Sequence, residues 1–224
     1  MIILGIDTSS AVCGIALSEA VSDKLKPIAQ IGPNIPNAHS EKIMPLLDDL
    51  LKTTGVEKKS INAIAISIGP GSFTGLRIGL STAKGLALGL NIPIVSVPSL
   101  DVIAEKVRFI DKTLHIATSS RKDEFYYCSY KQGRRISDYT VLTTMEIINK
   151  IEPETVLISD KTEAIINQIP EKTREKVMVM SKEFSYPDVF FVTVLGHRKI
   201  LNRQMDTLSA LVPMYVQGFR GTKV

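Results

Sequence analysis

Residues 61–90 constrain the fold more than any other stretch. Ile64, Ile66 and Ile68 alternate with Ala63, Ala65 and Ser67, so both faces are apolar or small, as in a strand buried between two layers. The run passes directly into Gly69-Pro70-Gly71-Ser72-Phe73-Thr74-Gly75, after which 76–90 reads as a helix. Strand, tight turn and helix form the repeating unit of an α/β layer. The rest of the first hundred residues agrees. Residues 1–6 are a continuous apolar run, and 12–18 return after Asp7-Thr8-Ser9-Ser10, which predicts a hairpin. An edge strand is expected near 28–31, among Pro27, Pro33 and Pro36. Ile43, Met44, Leu46, Leu47, Leu50 and Leu51 repeat at helical spacing, with Asn37 or Ser40 as cap and Gly55 as stop. A strand over 93–97 and a helix over 99–107 follow.

The second half reads as strands over 114–118 and 124–130 about a polar turn, then helix 145–150, strand 156–159, helix 163–169 and strand 177–180. A helix over 189–201 closes the chain. The α/β order of the first half roughly recurs. With 224 residues, 44% hydrophobic and 22% charged, the chain has the composition of a globular protein and ample length for a core. Its net charge of +4 is dispersed. Residues 1–100 hold eight basic against seven acidic side chains, and 101–224 hold nineteen against sixteen. No basic tail results. Cys13 and Cys128 are too few and too far apart for a disulfide framework or a cysteine-rich zinc site. The N-terminus meets Asp7 without a basic region and no apolar run reaches membrane length, so a cytoplasmic protein with no membrane contact is expected.

Several residues invite chemistry. Gly69, Gly71 and Gly75 lie on a strand-to-helix turn, where amide N–H groups and the helix dipole suit an anion. The spacing matches neither a dinucleotide fingerprint nor a P-loop, and a tight turn needing close backbone approach explains the same glycines. Asp7, ending the first strand, could orient a metal-bound water in phosphoryl transfer, or could merely satisfy its own turn. His39, Ser40 and Glu41 are sequence neighbours that cannot converge as a triad. His115 and His197 lack a ligand-spaced partner, so no metal is expected. Arg121, Lys122, Arg134 and Arg135 flank Phe125, Tyr126, Tyr127 and Tyr130, either as an RNA contact or as a solvated hairpin. Six of the fourteen glycines fall within 69–89. Gly75 with Gly79 and Gly85 with Gly89 are pairs one turn apart, each glycine costing about 1 kcal/mol relative to alanine, which suggests a groove for another backbone.

These residues match a family. Leu4-Gly-Ile-Asp-Thr-Ser9, Ala38-His-Ser-Glu41 with Pro45, and Ile68-Gly-Pro-Gly-Ser-Phe-Thr-Gly-Leu-Arg-Ile-Gly79 with Ala83-Lys-Gly85 resemble the TsaB family, also called YeaZ. The resemblance is strong over about residues 1–105 and thinner afterwards, at Arg121, Glu124 to Tyr126 and Pro213-x-Tyr215; Gln217 departs from the family's arginine. It implies an actin-like, Hsp70-like, ribonuclease H-like fold of two related α/β lobes, divided at 1–105 and 106–224 with the closing helix in the second. It also implies a non-catalytic subunit, without cofactor or metal. Its partner is TsaD, which forms N6-threonylcarbamoyladenosine at position 37 of tRNAs reading A-starting codons. TsaE joins the larger complex, tRNA is met through it, and TsaB can self-associate as a homodimer. Docking residues carried over are Ile43, Leu46, Leu47, Leu50, Gly75, Gly79, Ala83 and Gly85. The metal-binding histidines of TsaD are absent after residue 97, and 117–123 lacks the glycines of a second phosphate turn. The competing readings are an independent actin-like ATPase or phosphotransferase using Asp7, Gly69 and Gly71 as nucleotide-binding candidates, and a glycoprotease-like peptidase.

Overall fold

The computed structural model describes residues 1–22, 24–34 and 39–216, with the backbone alone for 39–41. Asn37 and Gln217 therefore lie outside the described residues, as do the side chains of His39, Ser40 and Glu41. Along the chain run β1 (Ile2–Asp7), β2 (Gly14–Val21), β3 (Lys24–Ile31), α1 (His39–Thr54), β4 (Ile61–Gly69), α2 (Phe73–Leu90), β5 (Ile94–Pro98) and α3 (Ser99–Lys106). Then come β6 (Thr113–Arg121), β7 (Glu124–Lys131), β8 (Arg134–Arg135), β9 (Thr140–Thr143), α4 (Thr144–Ile148), β10 (Val156–Ser159), α5 (Thr162–Ile166), α6 (Glu171–Arg174), β11 (Met178–Val179) and α7 (Val189–Leu201).

The described residues form two compact units, Met1–Val102 with Pro187–Met214, and Ile103–Tyr186 with Tyr215 and Val216. The expected division at 105/106, with the closing helix in the second lobe, is corrected: α7 belongs to the first unit. The sheet of that unit has the order β3-β2-β1-β4-β5. Its first three strands are antiparallel, while β4 runs parallel to β1 and β5 parallel to β4. One face carries Leu4, Ile6, Ile15, Leu17, Ile64 and Ile66 and packs on α1 and α2 through Ile43, Leu47, Leu50, Leu80 and Ala83. The other face carries Ile3, Ala16, Ala65 and Val95 and receives α7 through Val189 and Val192.

Small residues set the depth of that second contact. A Cβ on Gly5 would meet Thr193 Cγ2 at 2.5 Å, and one on Gly14 would meet Val189 Cβ at 3.0 Å. Ser18 Oγ and Thr193 Oγ1 lie 2.7 Å apart, pairing two buried hydroxyls across the same seam. A helix apolar on all sides is one that must be buried, and α7 has Val-Phe-Phe-Val-Thr-Val-Leu before its first charge.

The second unit repeats the plan. Its sheet order is β11-β10-β6-β7-β8, with β9 also pairing β7. The β6–β7 hairpin is antiparallel, and β10 and β11 follow parallel to β6. Read from β6, this is the sequence of pairings found from β1 in the first unit, which is the actin-like, ribonuclease H-like lobe occurring twice. Leu157, Ala117, Phe125 and Tyr127 on one face pack beneath Ile147, Ile151, Ile165 and Ile169.

Candidate functional site

The glycine turn is built on its own chain. Gly69 ends β4 at φ +103, a conformation that favours glycine, and leads into Pro70 through a cis peptide bond. Ser72 caps α2, its Oγ accepting from Gly75 N–H at 3.2 Å, while Ser72 N–H donates to Ser9 O at 2.8 Å. Ser99 Oγ donates to Pro70 O. A Cβ on Gly71 would overlap the Ser9 carbonyl oxygen, one on Gly75 that of Thr8, and one on Gly79 the Thr8 hydroxyl. Thr8 Oγ1 donates to Gly75 O at 2.8 Å. The notch formed by Gly75 and Gly79 is therefore filled by Thr8, immediately after β1, and Ser9 closes on Gly71.

Asp7 serves the same turn. It is 1% exposed, and its carboxylate accepts from Ser9 N–H at 3.1 Å and from Ser9 Oγ at 3.0 and 3.1 Å. Burial, and secondarily the Asp7 charge, push the nearby Cys13 thiol up to about 11, so it stays protonated at neutral pH and is no nucleophile. Asp7, Gly69 and Gly71 do converge on one corner. Two amides that a phosphate would need, those of Ser72 and Gly75, are already committed to Ser9 and to the Ser72 hydroxyl. Among the described residues no group of three His, Cys, Asp or Glu side chains could hold a metal.

The docking residues need correction. Ile43, Leu47, Leu50 and Ala83 are buried in the core of the first unit, Leu46 packs against that core half-buried, and Gly75 and Gly79 close on Thr8. Of the eight, Gly85 alone is exposed, with open space around its Cα, and Gly89 shares that setting. At about 100° per residue, the ten residues from Gly75 to Gly85, and from Gly79 to Gly89, carry the second glycine pair about 80° round the helix from the first. The two pairs are not one groove. What lies beside Gly85 on the outer face is Phe73, Arg77 and Ser81 at four-residue spacing, with Leu88 73% exposed. The Arg77 guanidinium sits 3.9 Å from the centroid of the half-exposed Phe73 ring. Met44 on α1, which packs beside α2, is also exposed. The spacing of Phe73, Arg77, Ser81 and Gly85 is in the sequence; it is obscured there by the louder signal of the glycines.

The other sequence candidates separate. Phe125, Tyr127 and Tyr130 are buried, so they form no stacking platform. Arg121 with Lys122, and Arg134 with Arg135, stand at opposite ends of β7, about 25 Å apart for eight residues of strand. His115 is 4% exposed, and its Nδ1 meets Tyr127 Oη at 2.7 Å while its Nε2 has no hydrogen-bond partner. Burial first, and the Lys150 charge second, lower its pKa to about 4. Burial pushes the Tyr127 phenol up to about 12.

No helix among the described residues is long and apolar enough to cross a membrane. The family model of TsaD, tRNA N6-adenosine threonylcarbamoyltransferase, matches residues 21–193. The chain is 32% identical over 174 residues to the tRNA threonylcarbamoyladenosine biosynthesis protein TsaB of Buchnera aphidicola subsp. Acyrthosiphon pisum, covering 73% of this chain and 76% of that one. It is 30% identical to the TsaB of Bacillus subtilis over 99% of this chain and 80% of the relative. Among solved structures, YeaZ from Pseudomonas aeruginosa superposes with a TM-score of 0.77 at 23% identity, covering 96% of this chain and 99% of that one. Motifs, topology and these relatives agree, and the chain belongs to the TsaB (YeaZ) family.

Proposed function

We propose that this chain is a non-catalytic subunit in the formation of N6-threonylcarbamoyladenosine on tRNA, docking on the transferase TsaD through the outer face of α2. The observation that carries this reading is the state of the glycine turn. Its Ser72 and Gly75 amides, the Asp7 carboxylate and the glycine notch are all satisfied by Thr8, Ser9 and Ser72 of the same chain. A phosphate would have to displace that internal network, which weighs against an independent ATPase. A peptidase needs an activated nucleophile, and the buried, protonated Cys13 is not one.

The face of α2 has the complementary character. Phe73, Arg77, Ser81, Gly85 and Leu88 make a ridge with an aromatic–arginine pair at one end and a gap over Gly85 that a partner side chain or backbone can enter. Aromatic and arginine anchors around a small-residue gap are what a helix-to-helix interface uses. Such a face serves either TsaD or a second copy, with TsaE joining the larger assembly and tRNA reached through it.

Calorimetric titration tests this. Heat with purified TsaD and none with Mg-ATP is expected, and Leu88→Arg should weaken TsaD binding at least about tenfold, a loss of about 1.4 kcal/mol, while leaving the fold unchanged. Saturable Mg-ATP binding, or Leu88→Arg with undiminished TsaD affinity, would overturn the proposal.

A further inference from the structure

In the second unit the loop after α3 lies against the β7–β8 turn. Gly133, at φ +70, faces Arg108 so closely that an added Cβ would stand 2.7 Å from its Cγ and 3.0 Å from its Cδ. Gln132 Nε2 donates to Asp111 Oδ1 at 2.8 Å. The two loops are one surface. From it Phe109 projects 82% exposed, more than any other large hydrophobic side chain among the described residues, and Ile136 is exposed just beyond β8.

A single exposed phenyl ring would mean little. Its surroundings give it meaning. Arg108, Lys131, Arg134 and Arg135 are exposed on the same two loops and the short strand they join. Arg108 is 3.6 Å from the buried Glu105 carboxylate, and the Arg135 guanidinium lies 4.3 Å from the Tyr139 ring centroid. Lys112 is paired with Glu154 at 2.9 Å. Among the described residues neither Lys131 nor Arg134 forms an ion pair. The exposed acids on these segments are Asp111, held by Gln132, and Asp138, so four exposed cations face two exposed carboxylates.

We propose that this surface binds single-stranded RNA, an unpaired base stacking on Phe109 and backbone phosphates meeting Arg108, Lys131 and Arg134; the proposal rests on reading the chain as a component of tRNA modification. A ring projecting at a loop tip can be covered only by a base already out of a helix, and every base offers a π face to it. Arginine forks beside the ring supply paired donors for phosphate oxygens. The other end of β7 is a built-in control. Arg121 and Lys122 have similar charge there, but the neighbouring Phe125 is buried.

The full chain is titrated into a fluorescein-labelled RNA hairpin with an unpaired loop, and anisotropy is followed over a range of salt. Binding is expected. Phe109→Ala should weaken it about tenfold or more. Lys131→Glu with Arg134→Glu should weaken it and flatten the logarithmic salt slope by about one for each phosphate left without its cation. Arg121→Glu with Lys122→Glu should change affinity less than about twofold. The chain has no tryptophan, so Phe109→Trp makes a sole reporter whose emission should be quenched by the hairpin and not by a fully paired duplex. Absence of RNA binding, equal losses for the two charge-reversed pairs, unchanged affinity in Phe109→Ala, or a reporter answering phosphatidylserine vesicles or polyglutamate instead of RNA would each overturn it. Calorimetry with TsaD on the same preparations separates the two readings. Heat with TsaD but no RNA binding removes this surface alone, and loss of both removes the reading beneath it.

Discussion

A β-carbon at Gly79 would occupy the space of the Thr8 hydroxyl, whereas one at Gly85 would stand in open space, so these two glycines of one helix should answer the same substitution oppositely. Gly85→Ala should stabilise the protein by about 1 kcal/mol, the helix-propensity gain at an exposed interior position. Gly79→Ala should destabilise it by more than that gain, because Thr8 must abandon its bond to Gly75 O and drag the Asp7–Ser9 turn with it. Urea midpoints of the two variants against the parent check both signs; equal shifts in either direction would refute the assignment of the notch to Thr8. Residues of this kind mark how far sequence reading goes. That α2 carries too many glycines to be an ordinary helix is plain from the chain. That one pair faces Thr8 and the other faces solvent depends on a turn almost seventy residues earlier, and no local pattern encodes it.

Elements were legible where one apolar period sufficed. β1, β4, α2 and β5 each show an uninterrupted run or stripe, and their boundaries fall within a few residues of expectation. β8 and β9 have no such run, being two and four residues paired to β7 inside a polar stretch. α7 was legible as a helix but not in its placement, since its seat comprises Gly5, Gly14 and Ala65 on three strands far away in sequence. The C-terminal segment after it does a second job that sequence does not announce. β5 is the edge of its sheet, and Asp206 covers that edge. Its N–H donates to Ile94 O at 2.9 Å, and its carboxylate accepts from Ser96 N–H at 2.6 Å, while Lys199 Nζ donates to Ser96 O at 2.8 Å. An uncovered edge offers a free ladder to another strand. Asp206→Ala should cost about 1–2 kcal/mol and increase self-association, with Asp206→Asn retaining most of both properties because an acceptor remains. Urea unfolding and sedimentation velocity measure these, and an Asp206→Ala protein as stable and as monodisperse as the parent would sink the edge-cap role.

At the scale of the whole molecule, two units repeat one set of strand pairings, yet their interiors differ in the polar groups they bury. The second unit buries His115 with Tyr127, itself packed in the layer of Ile147, Ile151 and Leu157, as partner for Nδ1 and none for Nε2. Charging that ring would put a cation in a buried site with Lys150 nearby, which is why its folded pKa falls to about 4. The unfolded chain holds this proton near the ordinary value of about 6.5. Below that value the unfolded state binds more protons, so stability is lost as pH falls from about 6.5 toward 4, with a ceiling of about 3 kcal/mol. Above 6.5 the residue contributes no pH dependence. The loss should register first in the second unit, as lower amide-exchange protection factors (rates referred to the intrinsic rate at each pH) in β6 and β7 at pH 5 than at pH 7, while β1 and β4 are less affected. His115→Gln keeps a polar side chain without the titration, and should be less stable at pH 7 but flatter between pH 7 and 4.5. Tyr127→Phe removes the partner of Nδ1 and should steepen nothing, since the ring remains buried and neutral, while lowering stability at every pH by about 1 kcal/mol. If parent and His115→Gln lose stability in parallel across that range, the acid sensitivity arises from carboxylates elsewhere and the buried histidine has no part in it.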